Sequence, residues 1–408
     1  MRRPSRSSLR GLDWFNFFIA DVQTGFGPFI AAYLTAHAWT QVDIGLVLTA
    51  GGIIALVGQI PGGAIIDATP GKRRIAALAV TGIGLSAVGI ALWPIFPIVL
   101  AAKVLHSAAS CLVSPAIAAI SLGLVGHAAL GERLGRNARF ASVGAGFAAA
   151  VMGGVGYLVS IQAVFFVTAI FALPTLFALT CIRADEIDPV RASGGAPDAR
   201  LPPDAEERRR AKGHLRAAVE NPALLIFAAC LLLFHLANAA MLPLVAGLVT
   251  MRTDEWGSVL IAACMVVPQI VVALFSPWVG RQAERWGRRP LLLLGFAALV
   301  VRGVLFALVS DPYALVGVQV LDGISAAVLG VMLPLVAADL SRGTGHFNLT
   351  LGILGTAMGI GAAFSTTLAG FMADAYGAEA AFLGLAGIVF AGLVLAWASM
   401  PETRVSEP

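Results

Sequence analysis

The chain of 408 residues is long enough for two or three soluble domains, but its composition excludes that organisation. It is 58% hydrophobic and 12% charged, with a formal net charge of +4; soluble proteins are usually about 25% charged. Disorder, a coiled coil and nucleic-acid binding are excluded because each needs more charge. The four cysteines, Cys111, Cys181, Cys230 and Cys264, lack paired spacing and indicate neither a disulfide framework nor a zinc site. The composition therefore predicts an integral membrane protein.

Twelve apolar runs are long enough to cross a bilayer. A spanning helix needs about 20 mostly apolar residues, because its backbone groups must be hydrogen bonded within the segment. The first run contains Asp21 and is too long for the apolar part of a cleaved secretion signal, so we expect it to remain as a span. In chain order the runs are 12–36, 42–67, 73–93, 96–126, 136–158, 161–182, 222–249, 256–280, 289–309, 312–340, 346–372 and 379–400.

The basic residues predict the orientation of these spans, since Lys and Arg accumulate on the cytoplasmic side. With both termini in the cytoplasm, 24 of the 27 basic residues lie in cytoplasmic segments and only Arg252 lies outside. Lys103 and Arg302 lie within spans. The basic residues are almost all Arg, and Ala and Gly are abundant, which is typical of a GC-rich bacterial coding sequence. We therefore expect a multi-pass protein of the bacterial inner membrane.

A polar segment, 183–221, separates the first six spans from the last six. Its Pro, Gly and charge content predicts a cytoplasmic linker between a bundle at 1–182 and a bundle at 222–408. The alternative is that 204–219 forms a surface helix against anionic lipid.

The two halves also share short motifs in the same order, which indicates two copies of a six-helix unit. The pairs are 63–74 with 280–289 after the second and eighth spans, 103–106 with 319–323 in the fourth and tenth, and Phe140 with Phe347 at the starts of the fifth and eleventh.

On these motifs the chain resembles the major facilitator superfamily of secondary transporters, and within it the bacterial drug and metabolite efflux branch. Residues 280–289 match the family's loop signature Gly-x-x-x-Asp-Arg-x-Gly-Arg-Arg, with Glu284 in the acidic place. The first-half copy departs from it, since Ala68 replaces the first Arg and Gly71 lies one position late. The resemblance implies an all-α membrane fold of twelve helices in two pseudo-symmetric six-helix bundles, with alternating access to a site near the midplane.

The signature places an acid at a helix end beside a glycine turn and arginines, which makes a charged latch at the cytoplasmic face. In the family this latch engages the neighbouring half when that face is closed. Lys72 and Arg74 are expected to be ordinary cytoplasmic charges. The candidates for gating are Asp67, Arg73, Glu284, Arg285 and Arg288.

Ionisable residues within spans are costly unless paired or hydrated, so each is a candidate functional residue. Asp21 lies about 13 Å into the first span, at 1.5 Å per residue. Lys103 and His106 lie one turn apart on the fourth span, and an Asp21–Lys103 pair would relieve the desolvation of both charges. Lys103 also occupies the place of an arginine in the family's fourth-helix motif, where the resemblance implies proton coupling.

The second half contains a comparable set within its spans. Asp322 lies in the tenth span with Arg302 in the ninth, and Arg302 is either part of the transport site or a fixed counter-ion. His235 and Asn238 lie in the seventh span. Two further acids, Asp13 and Asp339, lie near the cytoplasmic ends of their spans, where solvated charge is ordinary.

Together these features predict a proton-coupled secondary transporter that exports a drug or metabolite, acting as a monomer without metal or cofactor. No nucleotide-binding loop of the form G-x-x-x-x-G-K-[ST] occurs, so ATP is not the expected energy source. The alternatives are proton-coupled uptake of a metabolite, efflux of arsenicals or soft metals through Cys111, Cys230 and Cys264, and a non-transporting membrane scaffold. A membrane enzyme is disfavoured because the six histidines are scattered.

Overall fold

The structure, a computed structural model, describes residues 4–24, 27–195, 220–245 and 257–404. Over these residues the chain is nearly all α-helical, as the sequence predicts. The α-helices in chain order are α1 Arg6–Thr24, α2 Gly27–Ala36, α3 Gln41–Val57, α4 Gln59–Ala68, α5 Lys72–Leu92, α6 Phe96–Val125, α7 Leu130–Leu158, α8 Ile161–Thr180, α9 Pro189–Ala192, α10 Pro222–Asn238, α11 Gly257–Trp286, α12 Arg289–Leu308, α13 Pro312–Leu340, α14 Phe347–Tyr376 and α15 Ala378–Ser399.

Within the described residues, ten helices are long and apolar enough to cross a membrane. Helices α3 and α4 together give an eleventh, bent by 48° at Gly58. The predicted first span is described as α1 and α2, on either side of residues 25–26, which lie outside the described residues. The protein is therefore a multi-pass helical membrane protein, and the count of twelve spans stays a prediction.

The bend at Gly58 has a local cause. Pro61 lies in the first turn of α4, where it cannot donate a backbone hydrogen bond. A Cβ atom on Gly58 would lie 2.9 Å from the Sγ atom of Cys111, and one on Gly62 would lie 3.0 Å from the Cys111 carbonyl oxygen. The small residues therefore let this broken helix pack directly against α6, as expected between helices in a membrane.

Several helices begin at a side chain that accepts hydrogen bonds from the first turn. Thr40 caps α3, Ser160 caps α8, Asn221 caps α10 and Asp311 caps α13. Such caps satisfy donors that have no partner within the helix, and each stabilises its helix by about 1 kcal/mol.

The chain forms two compact units. The first comprises Met1–Leu130, Arg139–Arg200 and Arg342–Gly352, and the second comprises Gly131–Ala138, Leu201–Ser341 and Ile353–Pro408. Each unit thus includes a short segment from the other half of the sequence. The predicted division at 182 and 222 stays a prediction, and the surface helix considered for 204–219 lies outside the described residues.

Inside the first unit, α5 packs against α6 and α8, α1 packs against α8, and α3 and α4 pack against α6. Inside the second, α11 packs against α13, α12 against α13 and α15, and α10 against α15. These contacts bury the side chains on which the candidate sites depend.

Candidate functional site

A buried ionic cluster lies within the second unit, where α10, α12 and α13 contribute one polar side chain each. The Nη1 atom of Arg302 donates to Asp322 Oδ1 at 2.7 Å and to Asn238 Oδ1 at 2.6 Å. The guanidinium group lies 5.1 Å from the ring centre of Phe306, and the Arg302 side chain is 1% exposed. The structure thus brings together three of the residues predicted for the transport cavity.

The electrostatics of this cluster follow from its burial. An isolated guanidinium in the protein interior costs several kcal/mol, and Asp322 offsets that cost only through close ionic contact. The Asp322 side chain remains 22% exposed, so the carboxylate is the member of the pair that reaches the surface of the described residues.

His235 lies one turn before Asn238 on α10, as predicted, but its ring is tied to its own helix. Its Nδ1 atom is 3.0 Å from the Leu231 carbonyl oxygen, and its ring stacks beside Phe234 at 5.4 Å. Beside it, α10 and α14 enclose an apolar groove of about 560 Å³, lined by Leu232, Phe364 and neighbouring residues.

In the first unit, Lys103 and His106 lie on α6 one turn apart. Lys103 packs against Gly51 of α3, where a Cβ atom would come within 2.6 Å of the Lys103 Cε atom and 3.1 Å of Ser107 Oγ. His106 is 6% exposed. The side chain of Asp21 lies outside the described residues, so the Asp21–Lys103 pair stays a prediction.

Asp67 ends α4 and caps α14 within the first unit. Its Oδ1 atom accepts hydrogen bonds from the Asn348 backbone N–H at 3.1 Å and the Asn348 Nδ2 atom at 2.7 Å, and its Oδ2 atom accepts one from Leu349 N at 2.8 Å. Because helix N-termini carry partial positive charge and unpaired donors, the carboxylate stabilises this start of α14. Asn348 was not anticipated, since its partner lies 281 residues away.

The expectation for Lys72 was wrong. Its side chain is 1% exposed, and its Nζ atom donates to the carbonyl oxygens of Ile66 and Asp67 and to Ser193 Oγ. It therefore binds the carbonyl end of α4, where a cation is favoured, and joins that end to the segment after α8. Arg73, predicted for gating, instead donates to the carbonyl oxygen of Ile182 at 2.6 Å.

The segment that begins the predicted linker is also part of this junction. Ser193 Oγ lies 3.2 Å from the Asp67 carbonyl oxygen, and the Ser193 carbonyl accepts from Phe347 N at 3.0 Å. The Ala192 carbonyl accepts from Asn348 Nδ2 at 3.2 Å. Residues 189–195 thus pack between the end of α4 and the start of α14.

The signature in the second unit centres on Arg288. Its Nε atom donates to Asp339 Oδ2 at 2.8 Å, and its Nη1 atom donates to the Ala283 carbonyl at 2.7 Å and to Glu284 Oε2 at 3.3 Å. The predicted residues Glu284 and Arg288 therefore meet, whereas Arg285 is exposed. Asp339 was expected to be solvated, which was wrong, because its side chain is 2% exposed and ion-paired.

Asp13 was expected to be solvated as well, and it is instead buried, with 2% exposure. Charges near span ends are ordinary in the sequence, so nothing local distinguishes a buried acid there from a hydrated one.

Glycines bring the signature of each half against the start of another helix. In the first unit a Cβ atom on Gly63 would lie 2.0 Å from the Asn348 carbonyl oxygen. In the second, one on Gly280 would lie 2.2 Å from the Gly131 carbonyl oxygen, and one on Gly131 would lie 2.6 Å from Glu284 Oε1. The repeat predicted from the sequence thus recurs in the contacts.

No group of three His, Cys, Asp or Glu side chains that could hold a metal ion occurs within the described ranges. Cys111, Cys230 and Cys264 all belong to those ranges, and each is buried with a free thiol.

Comparisons with known proteins agree with this architecture. The family model of the Major Facilitator Superfamily matches residues 13–267 and 236–408. An MFS-type transporter of Mycobacterium tuberculosis is 41% identical over 402 residues, which cover 98% of this chain and 94% of that protein. A chloramphenicol resistance protein of Pseudomonas aeruginosa is 34% identical over 128 residues, 31% of this chain and 30% of its own length. The structure of a human organic anion transporter matches with a TM-score of 0.69 at 15% identity, covering 97% of this chain and all of that one, which shows the shared fold.

The helical spans and these matches define a multi-pass membrane transporter. The chain belongs to the Major Facilitator Superfamily. Transporters of this family move small molecules.

Proposed function

We propose that the protein is a proton-coupled secondary transporter that exports a small organic solute, a drug or a metabolite, by alternating access. It acts as a monomer and not as an enzyme, in the inner membrane of a bacterium, with both termini in the cytoplasm. The observation that carries this proposal is the Arg302–Asp322 ion pair with Asn238 inside the membrane-spanning region. A purely structural protein of this size would be more stable with apolar residues there.

Proton coupling is supported by the chemistry of the pair. Protonation of Asp322 removes the negative charge that stabilises Arg302, so proton binding and the arrangement of α12 and α13 depend on each other. Lys103, His106 and His235 supply further titratable groups within spans, and Asp21 is the acid proposed for the first half. A solute that accepts a hydrogen bond from Arg302 would then compete with Asp322 and Asn238 for the same donor.

Export is supported by the relatives, one of which bears the name of a chloramphenicol resistance protein. The alternative is proton-coupled uptake of a metabolite, because the same acids can serve a symporter.

The gating role is proposed for Asp67, Arg73, Glu284, Arg285 and Arg288. The cap of Asp67 on α14 supports this role, because Asp67 lies in the first half of the sequence and its donors, the backbone N–H groups of Asn348 and Leu349, lie in the second. The gating role requires this cap to break when the cytoplasmic face opens, so that its loss contributes to the energy difference between the two states.

A susceptibility screen tests the proposal first. A strain that lacks the gene, with and without a plasmid copy, is exposed to compound classes headed by chloramphenicol, thiamphenicol and florfenicol. Export predicts that the plasmid copy lowers susceptibility to at least one class. Flux of the selected solute into proteoliposomes under an imposed pH gradient then tests coupling. Flux that is unaffected by the gradient, or the absence of flux for every solute, would contradict the proposal.

A further inference from the structure

A fully buried glutamine on α13 has no role in the site described above. Gln319 is 0% exposed, and neither its Oε1 nor its Nε2 atom has a nitrogen or oxygen partner among the residues that the structure describes, although the Cys264 thiol lies within reach of the amide. An unpaired buried amide costs roughly 1–3 kcal/mol per polar group, so the fold gains nothing from this side chain. An apolar side chain of the same size would pack there at lower cost.

The other buried polar groups nearby on α13 do have partners. Ser325 Oγ lies 3.0 Å from the carbonyl oxygens of Gly295 and Leu321, and Asp322 binds Arg302. Gln319 is therefore an exception on a helix that otherwise satisfies its polar side chains. It also occupies the position in the second half that Lys103 occupies in the first, according to the sequence repeat.

The surroundings of Gln319 form a small polar niche, defined by Gln319, Cys264 and the Nε atom of Arg302. The thiol of Cys264 on α11 is close enough to interact with the Gln319 amide and lies within electrostatic range of Arg302. Cys264 and Arg302 are both 1% exposed, and the Arg302 Nε atom, like the amide, has no nitrogen or oxygen partner within the described part of the chain. A thiol is a weak partner, so it does not satisfy the amide.

The niche lies next to the exposed side of Asp322. Gln319 and Asp322 are three residues apart on α13 and so lie on one face, about 4.5 Å apart along the axis. Asp322 is 22% exposed, whereas Gln319 is sealed against α11. One turn further, a Cβ atom on Gly323 would lie 2.9 Å from the Pro268 carbonyl oxygen, so α11 and α13 are in direct contact here. A small separation of these two helices would connect the niche to the exposed side of Asp322.

The charge of the niche defines what it can hold. The charge of Arg302 is already balanced by Asp322 at 2.7 Å, and the amide and thiol are neutral. The free groups are N–H donors from Gln319 and Arg302 and one amide oxygen that accepts. A group that both accepts and donates while remaining uncharged, such as a hydroxyl or an amide, satisfies these atoms best.

We propose that Gln319 is a specificity-determining residue, which hydrogen bonds to a hydroxyl or amide group of the solute when α11 and α13 separate during transport. This inference rests on the proposed function. A solute without such a group leaves the amide unpaired, and sites built around a buried hydrogen bond reject such analogues strongly.

The test compares two solutes and two variants. The first solute, called the hydroxyl compound, is the one that the screen selects, and its partner is the same molecule with every hydroxyl O-methylated and every amide N–H N-methylated. The wild-type protein should transport the hydroxyl compound with a kcat/KM about tenfold or more above that of its partner. Gln319→Met should lower this value for the hydroxyl compound by about tenfold, and leave the other compound unchanged.

The matched control is Ser325→Ala, which removes a buried polar group that has partners on the same helix. In detergent, Ser325→Ala should lower the melting temperature by about 2–4 °C, since it loses about 1 kcal/mol of hydrogen bonding. Gln319→Met should not lower it, because the substitution removes only a weak contact with the Cys264 thiol.

The outcomes separate the two proposals. If the wild-type protein moves no solute, the proposed function fails. If it moves solute and Gln319→Met retains the preference for the hydroxyl compound, only the role of Gln319 fails. If Gln319→Met lowers the melting temperature as Ser325→Ala does and slows both compounds equally, Gln319 is a structural residue and the inference is overturned.

Discussion

Replacing Asp322 with alanine should destabilise the protein mainly through the charge that it leaves behind. Breaking a buried ion pair by removing one partner costs about 3–5 kcal/mol. Asp322 is 22% exposed, and Arg302 keeps its hydrogen bond to Asn238, so we expect a value near the lower limit, about 3 kcal/mol. For a unit of about 200 residues this corresponds to a decrease in melting temperature of roughly 6–12 °C.

The second substitution tests whether the lost interaction is the pair itself. Arg302→Met keeps much of the side-chain volume and removes the charge, so it should restore about 2 kcal/mol or more when added to Asp322→Ala. Melting temperatures of the wild-type, single and double variants in detergent give this coupling energy. Asp311→Ala is the control, because it removes an exposed acid that caps the same helix. If the stability losses of Asp322→Ala and Arg302→Met simply add in the double variant, the reasoning is refuted.

Two further predictions concern Lys72 at the start of α5 and Glu186 after α8, both in the first unit. Lys72→Met should lower the melting temperature by several degrees, because it removes the donor to the end of α4. The control Arg74→Met, at an exposed position, should change the melting temperature by less than 1 °C. Equal effects of the two substitutions would contradict the contacts of Lys72. Partial burial acts to raise the pKa of Glu186, but hydrogen bonds from Ser5 and neighbouring residues outweigh it and hold this pKa below its usual value. Stability from Glu186 is therefore present at neutral pH and is lost as the pH falls from about 4.5 through the lowered pKa. Glu186→Gln should flatten the dependence of the melting temperature on pH below about 4.5. If this dependence is unchanged in the variant, Glu186 does not supply the pH-dependent stability.

The sequence predicts most of the helical layout, for a simple physical reason. Hydrocarbon allows no unpaired backbone groups, so a long apolar run has few alternatives to a helix. The same argument made Arg302 and Asp322 a predictable pair, since a charge within a span needs a partner or water. Asp21 was singled out on the same ground, and its pairing stays a prediction.

The sequence does not reveal the buried polar junctions at the ends of the spans. Lys72 and Asp339 lie among many charges that positive-inside bias and hydration already explain, and only tertiary contacts distinguish them. Asn348 meets Asp67 across 281 residues, and such a distant contact leaves no local periodicity. Gln319 was noticed only as part of a repeat, because a single polar residue in an apolar run does not show whether it is satisfied.

Coupling of solute and proton movement through Asp21 and Asp322 is the central claim, and it can be measured directly in sealed proteoliposomes. A pH-sensitive dye inside the vesicles records protons that move when solute is added, for the wild-type protein and for Asp21→Asn and Asp322→Asn. We expect solute-dependent proton movement only with the wild-type protein, while both variants still exchange labelled for unlabelled solute. If both variants move as many protons per solute as the wild-type protein does, the account is contradicted.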